Sequence, residues 1–141
     1  MAFDPQGQIL LTQFHKDGHP RSGAWTLPGG GMEWGEQAHE TALRELKEET
    51  GLHGQIGQLL GVQSQWFEAG TNGNTEPSHA LRLFFTAHDL SGELRRDFGD
   101  DDTTIAAAWF PMKALKALDR VAAVDFAIAL AQGASGDLSQ Q

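Results

Sequence analysis

Residues 37–50, Gln-Ala-His-Glu-Thr-Ala-Leu-Arg-Glu-Leu-Lys-Glu-Glu-Thr, constrain the chain more than any other stretch. At about 100° per residue on a helix, Leu43 and Leu46 fall together with Ala42 beside them, a stripe that must face a core. Gly51 follows as the natural C′ residue. His39 is expected on the core-side flank, packed rather than ligating. Glu45, Glu48 and Glu49 are spaced by three and four, so they share the face next to the stripe. Glu48 and Glu49 also lie in the last turn, where the helix dipole favours cations. Each conflict costs a few tenths of a kcal/mol, up to ~1, and all run in the same direction. A merely solvated acidic face calls for Lys or Arg at this end, and only Lys47 is there, pointing away from the carboxylates. A divalent cation relieves the conflict, and clustered carboxylates with room for water suit Mg²⁺ or Mn²⁺.

The elements around this helix follow from local pattern. Residues 8–14 and 25–27 read as strands, the second stopped by Pro28, with a polar loop from His15 to Gly23 between them. Met32–Trp34 reads as a short extended piece. Two long strands, 56–67 and 80–89, flank a polar loop at 70–74, and a fifth apolar segment at 105–110 ends at Pro111. Residues 112–118 and 122–132 read as helices. With no internal repeat and no linker, the expectation is one α/β (α+β) domain with a mixed sheet over residues 1–132, and a frayed tail at 133–141.

Composition narrows the partners. The 141 residues carry 10 Lys plus Arg against 19 Asp plus Glu, a formal charge of −9. No basic face is available for a nucleic-acid polymer or an anionic membrane. There is no cysteine, hence no disulfide, Cys-ligated zinc or thiol nucleophile. The start has neither the basic nor the apolar region of a signal peptide, and no apolar run approaches the ~18 residues of a membrane span, so a cytoplasmic setting is expected.

The helix belongs to a longer pattern. Gly30 is followed by Glu36, then by Arg44-Glu45-Leu46-Lys47-Glu48-Glu49-Thr50-Gly51-Leu52: G-x5-E-x7-R-E-U-x-E-E-x-G-U, with U apolar. At ordinary residue frequencies the chance of such a match is on the order of 10⁻⁷. It resembles the signature of the Nudix hydrolases, and the order of elements around it is similar too. The resemblance implies an α/β/α sandwich whose loop–helix–loop holds metal, and hydrolysis of a nucleoside diphosphate linked to another group. Carried over by position, Glu48 and Glu49 are the principal metal ligands, and Glu45 is a further ligand or the general base. The Gly29 carbonyl joins the metal, and Glu36 and Arg44 form a supporting pair in the catalytic loop. Mg²⁺ is the implied cofactor, with Mn²⁺ as a substitute. The residue physics agrees: an anionic chain binds a diphosphate through a bridging cation, which also acidifies water.

The remaining assignments are thinner. Gly30 and Gly31, beside Gly29, allow close approach to phosphates. Trp34 and Trp66 are candidates to stack on a base, and Arg21 to contact phosphate. Trp25, Phe84, Phe85 and Trp109 are assigned to packing. Relatives often recruit a fourth carboxylate three residues before the Trp at position 109, where this chain has Ala106, so Glu93, Asp97 and Asp100–Asp102 are the candidates. Arg82, Arg95 and Arg96 are weaker phosphate candidates. The ADP-ribose and dinucleoside-polyphosphate signatures are missing, which leaves a generic (d)NTP or nucleotide-sugar type. The alternative is a nucleotide-binding or regulatory module with weak catalysis. The segment before Asp4 is shorter than the family's first strand. Because the family often dimerises, the resemblance leaves a homodimer open.

Overall fold

The computed structural model describes residues 1–71, 74–100 and 102–133. The tail beyond Gly133, Asp101 and two residues of the 70–74 loop, Asn72 and Gly73, lie outside the described residues. The elements run β1 (Ile9–Phe14), β2 (Trp25–Thr26), α1 (Ala38–Thr50), β3 (His53–Phe67), β4 (Ser78–Ser91), β5 (Thr104–Phe110), a 3-10 helix (Met112–Ala117) and α2 (Ala122–Ala131).

The side-chain alternation of β1 sets the layers. Leu10 points to one face and meets Leu46 and Leu52, with Trp109 and Leu90 packed against them. Ile9 and Leu11 point to the other face and meet Leu115 and Val124. A strand buried on both faces in this way needs a layer on each side. Here α1 covers one face and α2 with the 3-10 helix covers the other, an α/β/α sandwich. Trp25, Phe84 and Trp109 take the packing roles expected of them; Trp25, for instance, meets Phe110 edge-on at 4.7 Å.

β1 lies between β2 and β5, antiparallel to both, and β3 and β4 form a long antiparallel hairpin. The N-terminal strip joins the two. Leu10 N–H donates to the Ala2 carbonyl at 3.1 Å and Ala87 N–H to that of Met1 at 2.9 Å. Ala2 thereby makes a parallel bridge to Ala87 of β4, and Phe3 an antiparallel one to Ile9. Among the described residues the strip contributes these two isolated bridges and no longer ladder.

Several boundaries differ from expectation. Both hairpin strands begin earlier than the apolar pattern marks, and β4 also ends later, because backbone pairing continues through residues 53–55, 78–79 and 91, whereas β3 ends at Phe67 as expected. β3 carries three register shifts. At Gly61 a Cβ would lie 2.8 Å from Leu130 of α2, so the absent side chain sets the distance of that helix. Met32–Trp34 forms no strand. Residues 112–117 form a 3-10 helix rather than an α-helix, entered directly from Pro111. His39 is exposed; the buried positions of α1 are Thr41, Leu46 and Thr50, so the core-facing stripe passes His39 by.

Candidate active site

The signature helix is built as its sequence demands and then wired to its surroundings. Gln37 N–H donates to the Glu40 carboxylate at 2.8 Å at the N-terminal end. At the other end Gly51 is left-handed, φ 77°, and its N–H donates to the Lys47 carbonyl. The cation missing from the last turn arrives from the β4–β5 connection. Arg95 donates through its guanidinium to the Glu48 carbonyl at 2.8 Å and to Asp102 Oδ2 at 2.6 Å, while its backbone N–H donates to the Thr50 carbonyl. This end of α1 is therefore capped by charge after all. Arg95, a weak phosphate candidate from sequence, is a helix cap, and Asp102, a candidate fourth ligand, is its counter-ion.

Arg44 organises the acidic face. It grips Glu36 with two bonds, of 2.7 and 2.9 Å, and donates to Glu45 Oε1 at 2.9 Å, to Glu48 Oε2 at 3.1 Å and to the Gly31 carbonyl at 3.0 Å. Glu36 also accepts from Glu33 N–H and the Thr41 hydroxyl, so loop 31–36 is pinned to the helix. The Arg44 bonds, with that from Glu33 N–H, hold the Glu36 carboxyl down at about 2, against an ordinary value of 4.5. A carboxylate depressed in this way stabilises the fold above pH 4.5, and that stabilisation disappears as pH falls from 4.5 towards 2. The expected result is that Glu36→Gln flattens this acid limb, read from urea midpoints of both proteins across that window.

Glu49 faces differently. Its Oε1 accepts the Gly29 N–H at 2.7 Å and its Oε2 the Thr104 hydroxyl at 2.7 Å. Burial pushes this carboxyl up to about 7 despite those two bonds, and the charges of Glu45 and Glu48 add to the rise. Gly30 lies directly against Glu45, where a Cβ would stand 2.4 Å from Oε1. The structure thus brings together Glu36, Arg44, Glu45, Glu48, Glu49 and the backbone of Gly29–Gly31. Gly29 is joined to Glu49 through its N–H, rather than shown reaching out by its carbonyl.

Other expected members stand apart. Arg21 pairs with Asp119 at 3.0 Å and with the Arg120 carbonyl, so the contacts it makes are at the entry to α2 and not at the glutamates. Trp34 is fully exposed beside the loop. Trp66 is stacked on His79 at 3.8 Å, across the β3–β4 pair. Ala106 sits opposite Gln13 in the β1–β5 ladder and offers no ligand. An open cleft of about 540 Å³ is lined by His15, Arg96, Phe98, Asp102 and Ile105 among others, and by none of the clustered glutamates. Sequence reasoning missed two contributors, the Arg95 cap and the Thr104 hydroxyl. The cation demand of the last turn was a signal for the first; nothing local signalled the second.

The comparisons with known proteins agree with this geometry. The NUDIX domain family model matches residues 1–130. The chain belongs to the Nudix family. Among curated Nudix relatives, it is 35% identical over 99 residues to the ADP-ribose pyrophosphatase of Methanocaldococcus jannaschii, covering 70% of this chain and 52% of that protein. It is 37% identical over 110 residues to the 8-oxo-dGDP phosphatase NUDT18 of Homo sapiens, covering 78% of this chain and 30% of that protein. The chain therefore spans about half or less of the length of these curated relatives. Among solved structures, a MutT Nudix hydrolase from Burkholderia pseudomallei superposes with a TM-score of 0.65 at 32% identity, over 93% of this chain and 92% of that one. The MutT protein of Methanosarcina mazei Go1 shares the Nudix fold, with a TM-score of 0.71 at 20% identity over 96% and 91%. Among the described residues no helix is long and apolar enough to cross a membrane.

The donor set fits the divalent metal that Nudix proteins use. Glu45, Glu48 and Glu49 supply hard oxygens only, with no imidazole or thiolate in the donor set, as suits Mg²⁺. The carboxylates do not converge on one point: among the described residues no three acidic or imidazole side chains do. The reason is visible in the contacts. Arg44 draws Glu45 and Glu48 to itself, whereas Glu49 turns to Gly29 and Thr104.

Proposed function

We propose that this Nudix domain hydrolyses a phosphoric anhydride bond in a small nucleoside diphosphate derivative, with Mg²⁺ as cofactor. One observation carries the reading: the backbone of Gly29–Gly31 lies against the carboxylates of α1, with Gly29 N–H on Glu49 and Gly30 in contact with Glu45. A phosphate chain passing over those glycines lies beside three carboxylates. Glu45, Glu48 and Glu49 would hold the metal, which neutralises phosphate oxygens and lowers the pKa of a bound water. Glu45, mostly buried and held at Oε1 by Arg44 Nη1, would be a further metal ligand or, through its other oxygen, the base that takes the proton of the attacking water. Arg44 and Glu36 keep the glycine loop and the helix in register, so that phosphate and carboxylates meet without reorganisation. Trp34, free and adjacent, offers an aromatic face to a base.

The relatives named for ADP-ribose and 8-oxo-dGDP define the panel to assay, together with (d)NTPs and nucleotide sugars. The expected result is hydrolysis of at least one member with Mg²⁺, its loss in EDTA and its return on adding Mg²⁺ or Mn²⁺, with products separated by chromatography to show which bond is cut. Tight nucleotide binding with no product from any member would instead support a regulatory binding module, the role that Ala106 in place of an acid favours.

A further inference from the structure

We propose that Thr104, outside the signature, is the positioning residue that fixes Glu49 as a metal ligand, and that a β-bulge at Ile105 turns it to face α1. The inference rests on the reading of the site given above.

The register carries the first half. In β5, Trp109 packs on the α1 side of the sheet with Leu10 and Leu46, while Phe110 packs on the α2 side. Strict alternation from Trp109 places residues 107 and 105 towards α1, and 108, 106 and 104 towards α2. The pairing with β1 is regular from Ile9↔Phe110 to Gln13↔Ala106 and then slips: Phe14 faces Thr104, not Ile105. Ile105 is the extra residue, and it is 42% exposed. One inserted residue reverses the facing of all that precede it. Thr104 now lies opposite Phe14, an even-numbered position of β1 like Leu10, and so on the α1 side. Its side chain is buried there, and its hydroxyl reaches Glu49 Oε2 at 2.7 Å.

The chemistry carries the second half. Glu49 Oε1 takes the Gly29 N–H and Oε2 takes the Thr104 hydroxyl, so each oxygen has one donor and keeps a further lone pair for a cation. Two donors on opposite oxygens fix both the position and the rotation of the carboxylate plane. Gly29 belongs to a loop, whereas Thr104 is anchored in a strand of the sheet. Thr104 is thus the link between Glu49 and the rigid scaffold. A hydrogen bond that orients a ligating carboxylate from behind is worth 10–100-fold in metal affinity in metalloproteins generally.

The test uses the whole chain and Mn²⁺ alone as probe, with free ion counted by electron paramagnetic resonance and folding checked by circular dichroism. Thr104→Val keeps the shape and removes the donor, Thr104→Ala removes both, and Thr104→Ser keeps the donor. The expected result is a Kd for Mn²⁺ at least about tenfold weaker in Thr104→Val and Thr104→Ala, with Thr104→Ser within about threefold of wild type. Hydrolysis by the Val variant then recovers as Mg²⁺ is raised. Should Thr104→Val bind Mn²⁺ as wild type does, or Thr104→Ser lose as much as Thr104→Val, the positioning role is wrong while the proposed function stands. Should the wild-type chain itself bind no Mn²⁺ at millimolar concentration, both fall together.

Discussion

Glu48→Gln and Glu49→Gln each lower kcat by about 10³-fold, the loss expected when several kcal/mol of transition-state charge stabilisation disappears at 1.36 kcal/mol per tenfold. The two substitutions reach that loss by different routes. Glu48 is 56% exposed and its one carboxylate contact among those described is to Arg44 Nη1 at 3.1 Å. Replacing it removes a charge from the metal seat and leaves the packing untouched, so the thermal midpoint stays within about 3 °C of wild type, as for other surface changes. Glu49 is wedged between two donors, the Gly29 N–H and the Thr104 hydroxyl. A glutamine there keeps both contacts, with its oxygen on the Gly29 N–H and its NH₂ donating to the Thr104 hydroxyl, which accepts as well as donates. Glu49→Gln also removes a charge that burial disfavours, so this variant is expected to melt at or above wild type. Steady-state kinetics at saturating Mg²⁺, with thermal melts of the same samples, separate the two routes. Full activity in both variants would remove the proposed function, since Glu45, against Gly30, would then be all that remains of the three carboxylates assigned to the metal.

The helix and the cluster on it were legible because their rules are local. The stripe of Leu46 and its neighbours, the left-handed Gly51 and the carboxylates at spacings of three and four are all consequences of 3.6 residues per turn. The pairing of Glu36 with Arg44 came instead from the resemblance to the Nudix signature, since Glu36 precedes the helix and no helical spacing relates the two. What was not legible depends on distant residues. Arg95 reaches the Glu48 carbonyl across 47 positions, so the last turn looked uncompensated when it is not. The same reach removed Asp102 from the candidate ligands by giving it to Arg95. Arg21 looked like a free loop cation and is tied to Asp119, 98 positions away. Thr104 was invisible for a third reason: its facing is decided by a bulge, and a single inserted residue leaves no mark on the apolar pattern of 105–110. His39 was misplaced because the buried line of α1 passes through Thr41 and Thr50, polar residues that a search for apolar stripes passes over. The Thr50 hydroxyl satisfies itself on the Leu46 carbonyl, which is what allows it to be buried.

Gly51→Ala should be the most damaging single methyl in the signature. Gly51 has φ 77°, where an L-residue costs about 1–2 kcal/mol. That cost alone is shared with Gly7, at φ 78°, where a Cβ would meet nothing within 4 Å. At Gly51 the added Cβ would also stand 2.7 Å from the Glu93 carbonyl oxygen and 3.3 Å from Arg95 N. These are backbone atoms, which cannot rotate away, so overpacking adds about 1–3 kcal/mol. The segment that must yield is the one capping the helix, since Arg95 N–H donates to Thr50 and its guanidinium to Glu48. The expected result is a loss of about 2–5 kcal/mol in Gly51→Ala against about 1–2 in Gly7→Ala, measured from urea midpoints. The difference between the variants is the contact at the helix end, freed of the conformational term they share. Because that contact holds the turn bearing Glu48 and Glu49, Gly51→Ala also weakens Mn²⁺ binding, whereas Gly7→Ala, remote from the carboxylates, leaves it unchanged. Equal destabilisation by the two substitutions would show that the β4–β5 connection yields freely and does not hold the helix end in place.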